Sequence, residues 1–248
     1  LGQSELALDE LRRVVPVPIF GADGKLITEH GVHNGVAVKP DIQIRPVSKR
    51  PSENELHEVY SILDELVCDF PFERQADKAN AFALAASPFL REMYDLCPLI
   101  GIEAACPGTG KGLLGDLMML PFLGPSFQGR AMIGELHGEN AEKVLCAILL
   151  TAPVVVQLDN VVKLASGPLC LTLTTERPSF RILGENRMAS PWNQAVWLST
   201  ANNPVYSDEV ARRVVPIRLA SIQSTCLTEA KIAAINWLIP GRRLKALA

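Results

Sequence analysis

The sequence predicts an α/β fold, a parallel central sheet flanked by helices and preceded by a small β or extended segment and a helical segment. Three observations carry this. Leu99-Ile100-Gly101-Ile102-Glu103-Ala104-Ala105, then Pro107-Gly108-Thr109-Gly110-Lys111-Gly112, then Leu113 to Leu120 read as a strand, a phosphate-cradling loop and a helix. Val154-Val155-Val156-Gln157-Leu158 is a continuous apolar run of the kind buried on both faces of a parallel sheet, and Ala195 to Thr200 and Val214 to Leu219 repeat it. Helical stretches lie between these runs, an alternation that puts a site at the strands' carboxyl ends.

Taken in order, residues 14–50 alternate short apolar runs with turn residues, and Val17 to Phe20, Ala22-Asp23-Gly24 and Leu26-Ile27 give a hairpin signal. Ser52 and Glu55 form a capping box ahead of Leu56, Val59, Tyr60, Leu63, Leu66 and Val67, which share one helical face, so a helix is expected over 53–68. A second, from Gln75 to Tyr94, is expected to break or kink at Pro88. After the loop and its helix, Glu139 to Leu150 sets Val144, Leu145, Ile148 and Leu149 on one face. The next strand ends at Asp159-Asn160 and the following one at Asn202-Asn203. The resulting divisions are an N-terminal extended or β segment (1–50), a helical lead-in (51–95), a phosphate-loop core (96–222) and a C-terminal helix (223–248).

At 248 residues, 48% hydrophobic and 21% charged, the chain has enough apolar sequence for one sizeable core plus an appended segment. Its net charge of −3 supplies no global field for nucleic acid, so any such binding needs a local basic patch or the summed surface of an oligomer. The six cysteines show no metal or disulfide spacing and read as reduced core thiols. No stretch approaches the ~20 apolar residues of a membrane span, so no membrane partner and a cytoplasmic location are expected. Opening at Leu1, the chain reads as part of a longer product.

The loop carries the chemistry. Glycines let successive N–H groups and the next helix's N-terminus converge on phosphate oxygens while one lysine reaches the β/γ end, which assigns Pro107, Gly108, Thr109, Gly110, Lys111, Gly112 and Leu113 to ATP. Two positions depart from the usual pattern. Ala105 stands where the first glycine belongs, and Gly112 stands where a Ser or Thr hydroxyl normally ligates Mg²⁺. Asp159, at the end of an apolar strand, is the residue type that holds the hydrated Mg²⁺ bridging β- and γ-phosphates. Asn202 or Asn203 would orient an attacking water, although Asn-Asn-Pro alone reads equally as a turn. Arg212 or Arg213 suits an arginine finger toward a neighbouring subunit's γ-phosphate, the alternative being a helix-end arginine paired with Asp208 or Glu209.

In this order, Pro107 to Leu114, Val154 to Asn160, Leu198-Ser199-Thr200-Ala201-Asn202-Asn203 and Ala211 to Leu219 resemble the ATPase domain of phage and integrative-element primase-helicases. That domain is similar to superfamily III helicases and their AAA+ relatives, which are P-loop NTPases. Phe20 to Gly24, Asp69 to Phe72 and Ala76 to Ala81 look like that family's lead-in, and Leu227 to Arg242 looks like its closing helix, so the resemblance covers nearly the whole chain and is strongest over 98–219. It implies a ring-forming, hexameric ATPase acting on single-stranded or forked DNA in replication of a mobile element. Carried over, Lys111 binds phosphate, Asp159 holds Mg²⁺, Asn203 (or Asn202) is sensor 1, and Arg212 or Arg213 is the trans-acting finger. Phe180 to Met188 looks like the hairpin such motors project into the pore, with Arg181 and Arg187 on DNA phosphates. By spacing alone it is equally a solvated surface hairpin.

Asn160 replaces the glutamate that many AAA+ proteins use as catalytic base, and an amide can position water without accepting its proton. Either Asp159 covers both roles, a carboxylate such as Glu103 or Glu139 enters the site, or hydrolysis is slow. The leading reading is a DNA-dependent ATPase. The alternatives are an ATP-binding ring-assembly module with little or no hydrolysis and a small-molecule P-loop kinase.

Overall fold

The structure is a computed structural model that describes residues 10–40, 48–124, 129–134, 136, 138, 140–182 and 187–220. The C-terminal helix expected over 223–248, the expected closing segment from Leu227, and Glu139 lie outside the described residues.

The chain opens with short strands: β1 (Arg13–Val15), β2 (Ile19–Phe20), β3 (Leu26–Ile27), β4 (Gly31–His33) and β5 (Val36–Val38). β2 and β3 pair antiparallel as the expected hairpin, while β5 sits between β1 and β4. Their inward residues Val15, Ile19, Val36 and Val38 are buried in the same core cluster as Ile100, Leu114 and Leu198 of the central layers.

α1 (Glu53–Val67) begins at Ser52, whose capping box with Glu55 is formed in full. α2 (Gln75–Ala86) stops just ahead of Pro88, and a single 3₁₀ turn follows at Arg91–Met93. The expected helix to Tyr94 therefore breaks at the proline, which lacks an N–H to continue the ladder. Next come β6 (Leu99–Ala104), α3 (Lys111–Leu123), β7 (Arg130–Ile133), α4 (Asn140–Leu149), β8 (Val155–Leu164), α5 (Gly167–Leu173), β9 (Phe180–Arg181), β10 (Met188–Ala189), β11 (Val196–Tyr206), α6 (Asp208–Ala211) and β12 (Val214–Leu219).

Five strands form one parallel sheet in the order β12-β6-β11-β8-β7, the α/β fold that the apolar runs predicted. β11 is inserted between the loop strand β6 and the Asp159 strand β8. Alternation along each strand divides the core in two. Ile100, Ile102, Val155, Leu198 and Ile217 face α3, whereas Leu99, Val156, Leu158 and Trp197 face Leu145, Leu169 and Phe180. α3 is buried on almost every side, which explains its run of leucine and methionine without a polar stripe. Buried Asp116 of α3 pairs with Arg130 at the start of β7 at 2.6 Å, which pins the helix to the sheet's far side.

β12 is an edge strand, and its open side is closed by what precedes the loop. Asp77 of α2 accepts from the Arg218 N–H at 2.9 Å, the Asn80 amide donates to the Pro216 carbonyl at 2.8 Å, and the Glu73 and Ala220 amides donate to Arg218 and Pro71 carbonyls. The edge thus offers little free backbone for another strand to pair with.

β8 and β11 run on past Asn160 and Asn203, where the sequence reading ends them. Both asparagines adopt left-handed backbone, at φ 52° and 44°. Asparagine tolerates this conformation, so each strand bends there; Val161 pairs with Ala201 after the first bend, and Lys163 with Val205 and Leu164 with Tyr206 after both. Of the described cysteines, Cys97, Cys146 and Cys170 are buried, but Cys68 and Cys106 are exposed, one ending α1 and one in the loop, so neither is a core thiol. Among the described residues no helix is long and apolar enough to cross a membrane.

Candidate functional site

The loop between β6 and α3 leaves the carboxyl edge of the sheet and turns on two glycines. Gly108 and Gly110 have φ of 81° and 85°. A Cβ on Gly110 would also lie 3.1 Å from Phe70 Cε1, so this position needs glycine for its conformation and for the close approach of that ring. Gly110 is the N-cap of α3 and no side chain caps the helix's first amides, which leaves them available to a ligand.

Lys111 is the first residue of α3 and is buried. Its Nζ donates to the Cys106 carbonyl at 3.2 Å, to Thr109 Oγ1 at 3.2 Å and to Asn202 Oδ1 at 2.6 Å. An ammonium has three protons, so all are engaged. Two partners belong to the lysine's own loop. The third and shortest comes from β11. Burial pushes the Lys111 ammonium below its ordinary pKa.

Asn202 joins the lysine to β8, because its Nδ2 donates to Asn160 Oδ1 at 3.3 Å. Beside it, the Thr200 hydroxyl donates to Asp159 Oδ1 at 2.7 Å and accepts from the Asn160 N–H at 3.0 Å. The Asp159 carboxylate is exposed at the bend of β8. Lys111, Asn202, Asn160, Thr200 and Asp159 therefore form one polar cluster on the α3 side of the sheet's carboxyl edge.

Asn203 takes a different place. Alternation turns it away from Lys111, and its amide donates to the Ala105 carbonyl at 2.9 Å. It lines a cavity of about 310 Å³ with Glu73, Glu103 and Arg218. Glu103 stands on the sheet face opposite α3, where the Tyr206 hydroxyl donates to it at 2.9 Å and Arg218 lies 3.6 Å away. Burial raises the Glu103 pKa, with the Tyr206 bond and Arg218 opposing. The alternative in which Glu103 enters beside Asp159 is not what the structure shows, since odd-numbered residues of β6 face away from the loop helix.

Arg212 and Arg213 precede β12, in which Val214 is opposite Leu99 and Leu219 opposite Ala104. They stand at the amino edge, the length of a strand from their own loop. The Arg213 guanidinium donates to the Glu209 carbonyl, while Arg212 is exposed. Arg181 and Arg187 flank the described ends of an antiparallel hairpin in which Arg181 pairs with Met188 and Phe180 with Ala189. Both arginines are exposed, and buried Phe180 anchors the stem.

Sequence reasoning missed Thr200, the split between Asn202 and Asn203, and Phe70 over the loop. Strand alternation puts Leu198, Thr200 and Asn202 on one face and Asn203 on the other, but which face meets the loop is set by how β11 packs. Phe70 lies in an irregular segment with no periodicity to place it.

No protein-family model matches the chain, and no curated protein sequence matches it. Among solved structures, the NrS-1 C-terminal region in its apo A form superposes with a TM-score of 0.52 at 20% identity, covering 86% of this chain and 49% of that one. A second structure of that region gives 0.51 at 18% identity, with coverages of 82% and 47%. The JCV helicase matches more loosely, at 0.42 and 11% identity over 68% of this chain and 46% of that one. The chain thus spans about half the length of the solved structures it matches. The NrS-1 likeness shows a shared fold.

Proposed function

We propose that this chain is an ATP-binding and ATP-hydrolysing DNA motor, the helicase ATPase part of a phage or mobile-element replication protein that works in the cytoplasm as a homo-oligomeric ring, a hexamer, on single-stranded or forked DNA. The observation that carries this reading is the Lys111 ammonium, seated in a glycine loop and held by Asn202 from the strand next to Asp159.

The donor set fits a nucleotide with Mg²⁺. Asp159 is an exposed carboxylate with one oxygen engaged by Thr200, and no cluster of three or more His, Cys, Asp or Glu gathers among the described residues. One carboxylate suits Mg²⁺, which keeps several waters and takes phosphate oxygens as further ligands. Bound there, the ion would neutralise charge developing on the β- and γ-phosphate oxygens.

The protein's own part follows from its hydrogen bonds. Loop amides and the first N–H groups of α3 donate to the phosphate oxygens, and Lys111 exchanges its Asn202 bond for a phosphate oxygen while keeping its two loop partners. The exchange frees the Asn202 amide to hold the attacking water, with Asn160 beside it. Asp159 is the nearest group able to take that water's proton. Arg212 and Arg213, at the far edge, reach a γ-phosphate only in a neighbouring copy, and Arg181 and Arg187 supply DNA phosphate contacts that six copies would multiply.

A second reading, a ring-assembly module that binds ATP and scarcely hydrolyses it, is favoured by the Glu103 orientation and by Asn160, whose side chain is an amide. ATP hydrolysis measured with and without single-stranded DNA, alongside Lys111→Ala, decides between them. DNA-stimulated turnover abolished by the substitution is expected. Tight ATP binding without turnover under either condition would move the assignment to the assembly module.

A further inference from the structure

We propose that Thr200 is a positioning residue that fixes the Asp159 carboxylate for its metal; this rests on the reading of Asp159 as the Mg²⁺ carboxylate. Gly112 leaves the start of α3 without a side-chain hydroxyl, so nothing on the loop helix at that position can bond Asp159. The hydroxyl arrives from the other side, on β11. Thr200 is 4% exposed and its Oγ1 lies 2.7 Å from Asp159 Oδ1 and 3.0 Å from the Asn160 nitrogen.

The direction of these bonds is determined. A backbone N–H only donates, so Oγ1 accepts from Asn160 and must spend its single proton on Asp159. The carboxylate is therefore held as an acceptor, with one oxygen committed to Thr200 and the other left to hold the metal. β-Branching restricts Thr200 to few χ1 rotamers, which makes it a stiff support. The same oxygen holds the amide of Asn160, whose left-handed backbone at φ 52° bends β8 and sets Asp159 at the edge. One buried atom thus governs both the side chain of Asp159 and the turn that presents it. A ligating carboxylate left without such support loses metal affinity, typically by 10–100-fold.

The test uses Thr200→Val, which keeps the shape and removes the hydroxyl, and Thr200→Ser, which keeps the hydroxyl. Binding of a fluorescent ADP analogue to the full chain is titrated with Mg²⁺ and repeated in EDTA. Thr200→Val should raise the half-saturating Mg²⁺ by about tenfold, the lower end of the range because phosphate and water supply most ligands, while binding in EDTA stays within about twofold. Thr200→Ser should restore the wild-type Mg²⁺ dependence, and in an Asp159→Asn background Thr200→Val should add nothing. Unchanged Mg²⁺ dependence in Thr200→Val, an equal loss in EDTA, or failure of Thr200→Ser to rescue would each overturn the proposal. Wild-type nucleotide binding that ignores Mg²⁺ would overturn both the proposal and the reading of Asp159 beneath it.

Discussion

The two edges of the central sheet both place a cation in the protein interior, and they hold it in opposite ways. At the amino edge, Arg91 is 2% exposed and its guanidinium donates to the backbone carbonyls of Tyr94, Asp95, Asn193 and Ala195. Arg13, also 2% exposed, donates to the Gln194 carbonyl and pairs with Glu92. Burial pushes its pKa down to about 10, with Glu92 opposing, so it stays charged at neutral pH. At the carboxyl edge, Lys111 gives its shortest bond to a side chain that itself bonds another side chain. Carbonyls of a folded backbone have no alternative position, whereas an asparagine amide turns about its own bonds. The amino edge is therefore a clamp joining the N-terminal strands to the sheet, and the carboxyl edge is a set of contacts that a ligand can replace.

Breaking the clamp should produce the largest effect in the molecule. Arg91→Met leaves four carbonyls short of a donor. We expect a loss of about 3–5 kcal/mol of unfolding free energy, read from urea denaturation. Nucleotide affinity, measured where the variant is still folded, should stay within about twofold because the loop lies a strand's length away. A variant that kept its stability and lost nucleotide affinity would reverse the division between the two edges.

The comparison sharpens within the carboxyl edge, where adjacent asparagines face opposite ways. Asn202→Ala removes the partner of Lys111 and the amide assigned to water, so turnover should fall about a hundredfold, the usual scale for one lost donor at a developing charge. Asn203→Ala removes a bond to the Ala105 carbonyl and puts alanine at a φ of 44°. Its cost should appear mainly in stability, about 1 kcal/mol, with a much smaller change in turnover. Steady-state ATPase assays and thermal melts on both variants decide the assignment. The sequence resemblance offered Asn203, or Asn202, for this role; we propose Asn202, because it is the one that meets Lys111.

That choice marks the boundary of what the sequence made legible. Burial on both faces writes a continuous apolar run, so β6, β8, β11 and β12 could be read directly. The capping box at Ser52 likewise announces α1, because its two bonds are local. β7 was missed, since an edge strand of four residues with one exposed and three half-buried positions leaves no apolar signature. The loop was legible because glycine, glycine and lysine serve one purpose at fixed spacing. Which asparagine meets the lysine depends on the register of β11 against β6, a tertiary quantity. The bends at Asn160 and Asn203 are also tertiary, since asparagine at a strand's end reads equally as a stop.

The smallest expected effect distinguishes the two edges by titration. Lys111 has its pKa lowered by burial, with Cys106 of its own loop opposing. A lysine whose pKa is lower folded than unfolded binds protons more tightly in the unfolded chain. Across the window between the lowered value and the ordinary lysine value, stability therefore rises with pH, and below that window the full burial penalty is present. Phosphate binding has the opposite sign, because it needs the ammonium and weakens as that proton is lost. Nucleotide titrations and urea midpoints between pH 7 and pH 10.5 should thus move in opposite directions, affinity falling by at most about tenfold per pH unit at the upper end. In Lys111→Met the Lys111 contribution to the stability slope should vanish. Arg13 at the amino edge, with a pKa of about 10, should leave the affinity curve unchanged and add to the rise in stability only at the top of that range. Parallel falls in stability and affinity would place the titrating group elsewhere and would remove the lysine's burial from the account of how this edge releases its contacts.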